Sequence, residues 1–358
     1  MTRTAWVEID RSALRHNLAV ARRHADGARV IAVIKANGYG HGLTRVAEQL
    51  RDADAFAVAS VDEALRLRKA GFDHPIVLFA GVLDAEELAL IADRDIEPVI
   101  HHRSQVELLA RANLSSRFRV WLKLDTGMHR LGLDEEEFIR SYNELKKLSD
   151  VVSDIRLLSH LANADDRGDP LTERQLARFD AVTGGLCRQR SIANSGGLMG
   201  WPESAFEWVR PGLMLYGVSP FGDALGADLD LRPVMAFKTR VISIKALRAG
   251  DRVGYGGHFT APADMRMAVI AAGYGDGYPR HVDPATEVLL NGAPARIIGR
   301  VSMDLICLDL SGHDDAKLGD EVTLWGPGLP VETVAAHAGT IPYELLCQVA
   351  ERVRVHEL

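Results

Sequence analysis

A lysine stands where a buried strand is predicted to end in a glycine-rich turn. Residues 30–34 are apolar and mostly β-branched, which is typical of a strand buried on both faces, and Lys35 follows them directly. The turn then carries four residues that tolerate positive φ: Asn37, Gly38, Gly40 and Gly42. The backbone can therefore approach a ligand closely beside the amine. A core lysine that extends to solvent would explain Lys35, but it would not explain the turn.

Three further basic residues lie on or after predicted strands. Arg130 comes after the segment 123–127 and could bind a carboxylate with two parallel hydrogen bonds, although it could equally neutralise Asp125 or the acidic run 134–137. His160 is either a hydrogen-bonded structural residue or half of a metal site with the nearby aspartates. Arg210 cannot accept a proton, so a group held against it would stay unprotonated.

The elements that position these residues follow a regular alternation. Apolar, strand-like runs are predicted near 30–35, 55–59, 76–80, 96–100, 118–124, 155–160, 190–194 and 207–216. Helices are predicted over 43–52, 61–70, 84–93, 103–112, 134–148 and 171–188. Eight such strands predict an α/β fold with a (β/α)8 barrel of the TIM type, and an open doubly wound sheet is the alternative.

A barrel places chemistry at the carboxyl ends of its strands. Lys35, Lys123 and His160 lie at such ends, and Arg210 falls at the eighth strand. Ser195 with its glycines and Gly212 follow the last two strands, where phosphate is commonly held.

The sequence changes character after Tyr216. A Pro- and Gly-containing loop leads into alternating runs separated by Gly- and Asp-rich turns, which predicts a separate, mainly-β C-terminal domain. We therefore expect a barrel over residues 1–232, with residues 1–10 pairing with the second domain, and the β domain over 233–358. Helices are expected there over 331–337 and 343–353.

Composition favours a globular protein with a small-molecule partner. The chain has 358 residues, is 47% hydrophobic and 25% charged, and carries a net charge of −7, which makes it a poor nucleic-acid binder. It has no apolar stretch of membrane-spanning length and no signal peptide, so we expect no membrane association and a cytoplasmic location. Its three cysteines and thirteen histidines lack metal-site spacing, and we expect no metal.

Several stretches resemble the alanine racemases, enzymes that depend on pyridoxal 5'-phosphate. The order Val-Ile-Lys-Ala-Asn-Gly-Tyr-Gly-His-Gly at 33–42 matches the lysine signature of that family, and the arginine segment 123–132 and the Val-Arg-Pro-Gly stretch at 209–212 follow in the family order. The resemblance covers almost the whole chain. It implies that Lys35 holds the cofactor as a Schiff base.

The resemblance also implies roles for other residues. Cofactor contacts would come from Tyr39, Arg130, His160, Ser195, Arg210, Gly212 and Tyr343. Arg130 and Met303 would contact the substrate, and Tyr274 would gate the entrance. Lys123 matches a lysine that is carbamylated in many family members. Ser302 replaces the usual cysteine before Met303, and Gly275 replaces the commoner alanine after Tyr274.

The resemblance implies racemisation of alanine by two bases, Lys35 and Tyr255, with Tyr255 supplied by the partner subunit of a homodimer. Tyr255 is flanked by glycines, which by itself is typical of an exposed hairpin. A broad-specificity or serine racemase, and a non-catalytic pyridoxal phosphate-binding protein, are the alternatives.

Overall fold

The chain divides into two compact units in a computed structural model, which describes residues 4–92, 94–113 and 116–358. One unit comprises Arg15–Leu215 and Ser219–Ala224, and we call it the barrel unit. The other comprises the residues up to Leu14, Tyr216–Val218 and Leu225–Leu358, and we call it the sheet unit. The first strand of the chain, β1 (Trp6–Ile9), belongs to the sheet unit.

The barrel unit confirms the predicted (β/α)8 architecture. Within the described residues, eight parallel strands close in chain order. They are β2 (Arg29–Val33), β3 (Ala55–Val58), β4 (Ile76–Leu78), β5 (Ile96–Ile100), β6 (Phe118–Lys123), β7 (Val152–Leu158), β8 (Arg190–Ser191) and β9 (Trp208–Val209). Most of their residues are buried, as expected for parallel strands covered by helices.

The intervening helices bury one apolar face each. They span Leu43–Gln49, Val61–Lys69, Ala85–Ala92, Arg103–Arg111, Glu135–Leu145, Leu171–Thr183 and Ser195–Gly200, and a helix at Arg11–Ala25 precedes the barrel. Side chains cap several of their starts. Ser60 accepts a hydrogen bond from the amide of Glu63, and Asp134 accepts one from Glu137.

Several elements of the barrel unit are shorter than the sequence predicts, and two of them differ most. The strand expected over 207–216 ends at Val209, because Pro211 has no amide hydrogen to continue the ladder and the chain turns into a 3-10 helix at Leu213–Tyr216. The helix expected over 171–188 ends at Thr183, where Gly184 begins a less favourable helical sequence.

A buried ion cluster fills the amino-terminal end of the barrel. The Glu97 carboxylate, which is 1% exposed, accepts hydrogen bonds from Arg156 Nη1 at 2.9 Å, Arg119 Nε at 2.7 Å and Trp121 Nε1 at 2.7 Å. The Arg156 guanidinium also lies over Trp208, 5.1 Å from the ring centroid. Because conserved chemistry in barrels lies at the opposite end, we assign this cluster to stability.

Replacing Glu97 by alanine is expected to lower the free energy of unfolding by about 3–5 kcal/mol, since the neighbouring arginines lose their buried counter-charge. Urea denaturation followed by tryptophan fluorescence measures this, because Trp121 and Trp208 lie in the cluster. Glu136→Ala is the matched control, since Glu136 pairs with Arg140 on the surface and should cost under about 1 kcal/mol. Equal urea midpoints for the two variants would contradict the assignment.

The sheet unit confirms the predicted mainly-β C-terminal domain. Its larger sheet has eight described strands in the order β13-β16-β15-β14-β17-β10-β1-β18, and β11 and β12 form a separate pair. The strands are β10 (Met235–Leu247), β11 (Arg252–Val253), β12 (Phe259–Thr260), β13 (Met265–Ile270), β14 (Glu287–Leu290), β15 (Ala293–Ile298), β16 (Ile306–Asp309), β17 (Glu321–Trp325) and β18 (Arg354–Glu357). β1 lies between β10 and β18.

Two helices, Val331–Ala338 and Pro342–Cys347, complete the sheet unit. The helix expected over 343–353 stops at Cys347, because the following segment bonds to a turn elsewhere in the unit: the amide of Ala350 donates to the carbonyl of Asp276. Within the described part of the chain, no helix combines the length and the apolar character needed to cross a membrane.

Candidate active site

Lys35 opens a left-handed turn at the carboxyl end of β2. The strand itself ends at Val33, two residues earlier than the sequence suggests. Four consecutive residues then have φ between 50° and 64°: Ala36, Asn37, Gly38 and Tyr39. Left-handed backbone costs roughly 1–2 kcal/mol for each residue other than glycine. Such strain persists only where the surroundings fix it, and it concentrates at functional sites.

Hydrogen bonds from both sides hold this turn. Glu63 accepts from the amide of Asn37 at 3.0 Å, and the Asn37 side chain accepts from the amide of Leu43 at 3.1 Å. His41 Nδ1 lies 2.8 Å from the carbonyl of Tyr39, and because a carbonyl only accepts, this nitrogen donates. Burial lowers the pKa of His41 to about 4, so the ring stays neutral at physiological pH.

Two hydroxyl groups meet the backbone at Gly212. A Cβ atom at Gly212 would lie 2.6 Å from Tyr39 Oη, so only glycine lets that hydroxyl approach so closely. The amide of Gly212 donates to Ser195 Oγ at 3.0 Å, and the amide of Met214 donates to the same oxygen at 3.3 Å. This group forms a compact set of hydroxyls and backbone amides after the last two barrel strands.

Arg210 is buried without a carboxylate partner in the described chain. It donates to Ser191 Oγ at 2.6 Å, to the carbonyl of Ser159 at 2.5 Å and to His160 Nδ1 at 3.3 Å. Burial lowers the pKa of Arg210 to about 9, which still leaves it charged at pH 7. Burial and the charge of Arg210 hold the pKa of His160 well below its usual value, so His160 is a neutral acceptor.

Lys123 sits in a concentration of positive charge. Burial and the charges of Arg210, Arg130 and Lys35 lower the pKa of Lys123 to about 8. About a tenth of the amine is then neutral at pH 7, far more than for an ordinary lysine. Four cations drawn together at one barrel end favour an anionic ligand.

Arg130 lies on the exposed loop that follows β6. Among the described residues no carboxylate forms an ion pair with it. The Asp125 carboxylate instead accepts hydrogen bonds from the amides of Gly127, Met128 and His129. The structure therefore gives no support to neutralisation of Asp125 as the role of Arg130.

Sequence reasoning missed a buried polar network beneath these side chains. Gln175, which is fully buried, donates to Thr126 Oγ1 at 3.0 Å and to the carbonyl of His160 at 2.9 Å, and it accepts from the amide of Ala162. It thereby joins the loops after β6 and β7. A glutamine on the inner face of the 171–183 helix was the one available signal.

The other candidate residues lie in the sheet unit. Tyr255 follows β11 and is 72% exposed, and Tyr343 lies in the helix Pro342–Cys347. Tyr274 and Met303 are brought together within this unit, since the amide of Gly275 donates to the carbonyl of Met303 at 2.8 Å.

Comparison with known proteins assigns both units. Residues 9–220 match the family model described as "Alanine racemase, N-terminal domain", and residues 234–356 match "Alanine racemase, C-terminal domain". The chain belongs to the alanine racemase family. This confirms the resemblance found in the sequence.

The similarity between this alanine racemase family member and its relatives extends over almost the whole chain. It is 51% identical to "Alanine racemase" of Nitrosococcus oceani over 96% of this chain and 97% of that protein. It is 50% identical to "Alanine racemase" of Halorhodospira halophila over 99% of this chain and 98% of that protein.

Solved structures of alanine racemases also match the fold of this chain. The biosynthetic alanine racemase from Pseudomonas aeruginosa matches with a TM-score of 0.96 and 41% identity over 100% of both chains. The alanine racemase from Bartonella henselae, solved with covalently bound pyridoxal phosphate, matches with a TM-score of 0.91 and 32% identity over 99% of both chains.

The barrel end fits pyridoxal phosphate, the cofactor of this family. A phosphate group accepts hydrogen bonds from hydroxyls and backbone amides, and the close approach at Gly212 gathers such groups. An amine stands on the strained turn at Lys35, and the Arg210 guanidinium is buried with no carboxylate partner among the described residues. These three features would suit the phosphate, the aldehyde carbon and the ring nitrogen of that cofactor.

Proposed function

We propose that this protein interconverts L-alanine and D-alanine with pyridoxal 5'-phosphate, using Lys35 and Tyr255 as its two bases. The observation that carries the proposal is the barrel end, where the charges of Lys35 and Arg210 both act on Lys123 and the Tyr39 hydroxyl lies close to Gly212. The curated relatives named alanine racemase at about half identity support alanine as the substrate.

The cofactor, when bound, withdraws electrons from the substrate and so makes the hydrogen on the α-carbon acidic. Lys35 would hold the cofactor covalently. Tyr39, Ser195, Gly212 and Tyr343 would hold its phosphate, through hydroxyls and backbone amide rather than through lysines or arginines.

Arg210 would donate to the pyridine nitrogen. A guanidinium cannot give up its proton at physiological pH and cannot accept one, so the ring nitrogen beside it stays unprotonated. This limits electron withdrawal and favours return of the proton over side reactions. Ser191 and the carbonyl of Ser159 fix the guanidinium, and neutral His160 accepts from it without competing for charge.

The two bases would serve opposite faces of the substrate. Lys35 would move the proton at the α-carbon on the D face, and Tyr255 would move it on the L face. Arg130 and Met303 would contact the substrate carboxylate, and Tyr274 would gate its entrance.

Lys123 would carry a carbamate. Its lowered pKa provides neutral amine, which adds to carbon dioxide and releases a proton, leaving an anion on the side chain. That anion would replace one of four neighbouring cations and could orient Arg130 through charge-assisted hydrogen bonds.

The active protein would be a homodimer, and its cytoplasmic location stays a prediction from the sequence. Tyr255 is 72% exposed in one chain, whereas a catalytic base works in a shielded site, which supports its burial by a second chain.

Chiral product analysis tests the proposed function. The purified protein, incubated with added pyridoxal phosphate and single L-amino acids, should convert L-alanine to an equal mixture of enantiomers, and protein stripped of cofactor should not. Similar rates on serine and other amino acids would favour the broad-specificity alternative. A bound cofactor with no inversion of any amino acid would favour the non-catalytic alternative and contradict the proposal.

A further inference from the structure

Arg352 bridges two carboxylates that come from separate loops of the sheet unit. Its Nε lies 2.9 Å from Asp276 Oδ1, and its Nη2 lies 2.7 Å from Asp304 Oδ1. Asp276 is fully buried, while Arg352 and Asp304 are both partly exposed. A planar guanidinium can engage two carboxylates at once with fixed geometry, which a lysine ammonium does less well.

The two loops are those of the proposed entrance gate and the proposed substrate contact. Asp276 belongs to the 3-10 turn Tyr274–Asp276, and Asp304 directly follows Met303. The Asp276 carboxylate also accepts from the amide of Gly273 at 3.0 Å, so the same side chain closes its own turn and pairs with Arg352.

Backbone hydrogen bonds hold the two loops in a fixed alignment. The amide of Tyr274 donates to the carbonyl of Ser302 at 3.1 Å, and the amide of Gly275 donates to that of Met303 at 2.8 Å. A Cβ atom at Gly275 would lie 2.5 Å from Arg352 Nη2, so the guanidinium lies directly against this turn.

We propose that Arg352 is a positioning residue that holds Tyr274 and Met303 in the arrangement needed to admit and bind the amino-acid substrate. This inference rests on the proposed function of the protein. Without Arg352, buried Asp276 loses this guanidinium partner and the link to Asp304 is broken, so the turn and the loop are free to separate. Chemistry at Lys35 does not involve Arg352, so its loss should weaken substrate binding rather than slow the bound reaction.

Steady-state kinetics of the cofactor-loaded protein test the proposal in both reaction directions. Arg352→Ala should raise KM for alanine by about tenfold and change kcat by less than about twofold. The absorbance of bound pyridoxal phosphate should not change. Arg354→Ala is the control, because Arg354 is also an exposed arginine two residues away and forms no ion pair among the described residues.

Arg352→Lys keeps a positive charge beside buried Asp276. It is the variant to measure if the alanine variant fails to fold. It should show a smaller rise in KM. Adding Asp304→Asn to Arg352→Lys should then raise KM by less than the product of the two single effects, because both changes break the same contact.

A structural role alone would lower kcat and the urea midpoint together and leave KM unchanged, and that result would overturn the proposal. Fully multiplicative effects of the two substitutions would also overturn it. A wild-type protein without racemase activity counts against the proposed function instead, so the two failures are distinguishable.

Discussion

Replacing Lys35 by alanine is expected to abolish racemase activity and the covalent attachment of pyridoxal phosphate to the chain. Lys35 supplies both the attachment amine and one of the two proposed bases, so either loss alone would stop turnover. The expected fall in kcat is at least about four orders of magnitude. Borohydride reduction of the purified protein followed by intact mass measurement shows whether the cofactor is attached.

The control is Lys69→Ala, because Lys69 is an exposed lysine at the end of the helix Val61–Lys69. It should retain full activity and the added mass of one reduced cofactor per chain. Undiminished attachment in Lys35→Ala would assign the cofactor to another amine. Lys123 is then the first residue to test, since its lowered pKa makes it the other reactive lysine of the barrel end.

The barrel and the β domain were predictable because their signals are local. Buried parallel strands appear as apolar β-branched runs, and the change to alternating runs after Tyr216 marks the second domain. The predicted strand 207–216 was too long, because apolar residues 213–216 are buried in a 3-10 turn, and burial alone does not distinguish the two. Short strands such as β18 carry no such pattern and were missed.

The turn after β2 shows which backbone conformations local sequence preference predicts and which it does not. Glycines at 38, 40 and 42 indicated positive φ, but Ala36 and Tyr39 adopt it too, against their own preference. Glu63, which lies 26 residues further along the chain, accepts from the amide inside this turn. A bond of that kind depends on the closed barrel, so the sequence offers no local sign of it.

The candidate site likewise contains residues that the sequence identifies and residues that only the folded chain identifies. Lys35 and Arg210 stand beside residues with distinctive patterns, and the family resemblance identified them. Gln175 and Arg352 do not stand beside such patterns. Each joins loops that are distant in sequence, and each is an ordinary polar residue in a helical or turn segment, so only the folded chain shows what it binds.

Tyr255 raises the question of how its site is completed. A proton-transfer group must reach the α-carbon from the face opposite Lys35, in a place from which bulk water is excluded. In one chain Tyr255 is 72% exposed beside a turn of glycines, and burial by a second copy of the chain would provide that shielding. The proposed complete site would therefore contain Lys35 of one chain and the partner's Tyr255.

Co-expression of Lys35→Ala chains with Tyr255→Phe chains is expected to restore activity that neither variant has alone. In a random isologous dimer half of the molecules are mixed, and each mixed dimer has one intact site and one site with both defects. About a quarter of the wild-type sites should therefore return. Different affinity tags on the two chains allow mixed dimers to be purified, and their specific activity should approach half that of the wild type. If each site uses only its own chain, every site in a mixed dimer carries one defect, so purified mixed dimers without activity would rule out sharing.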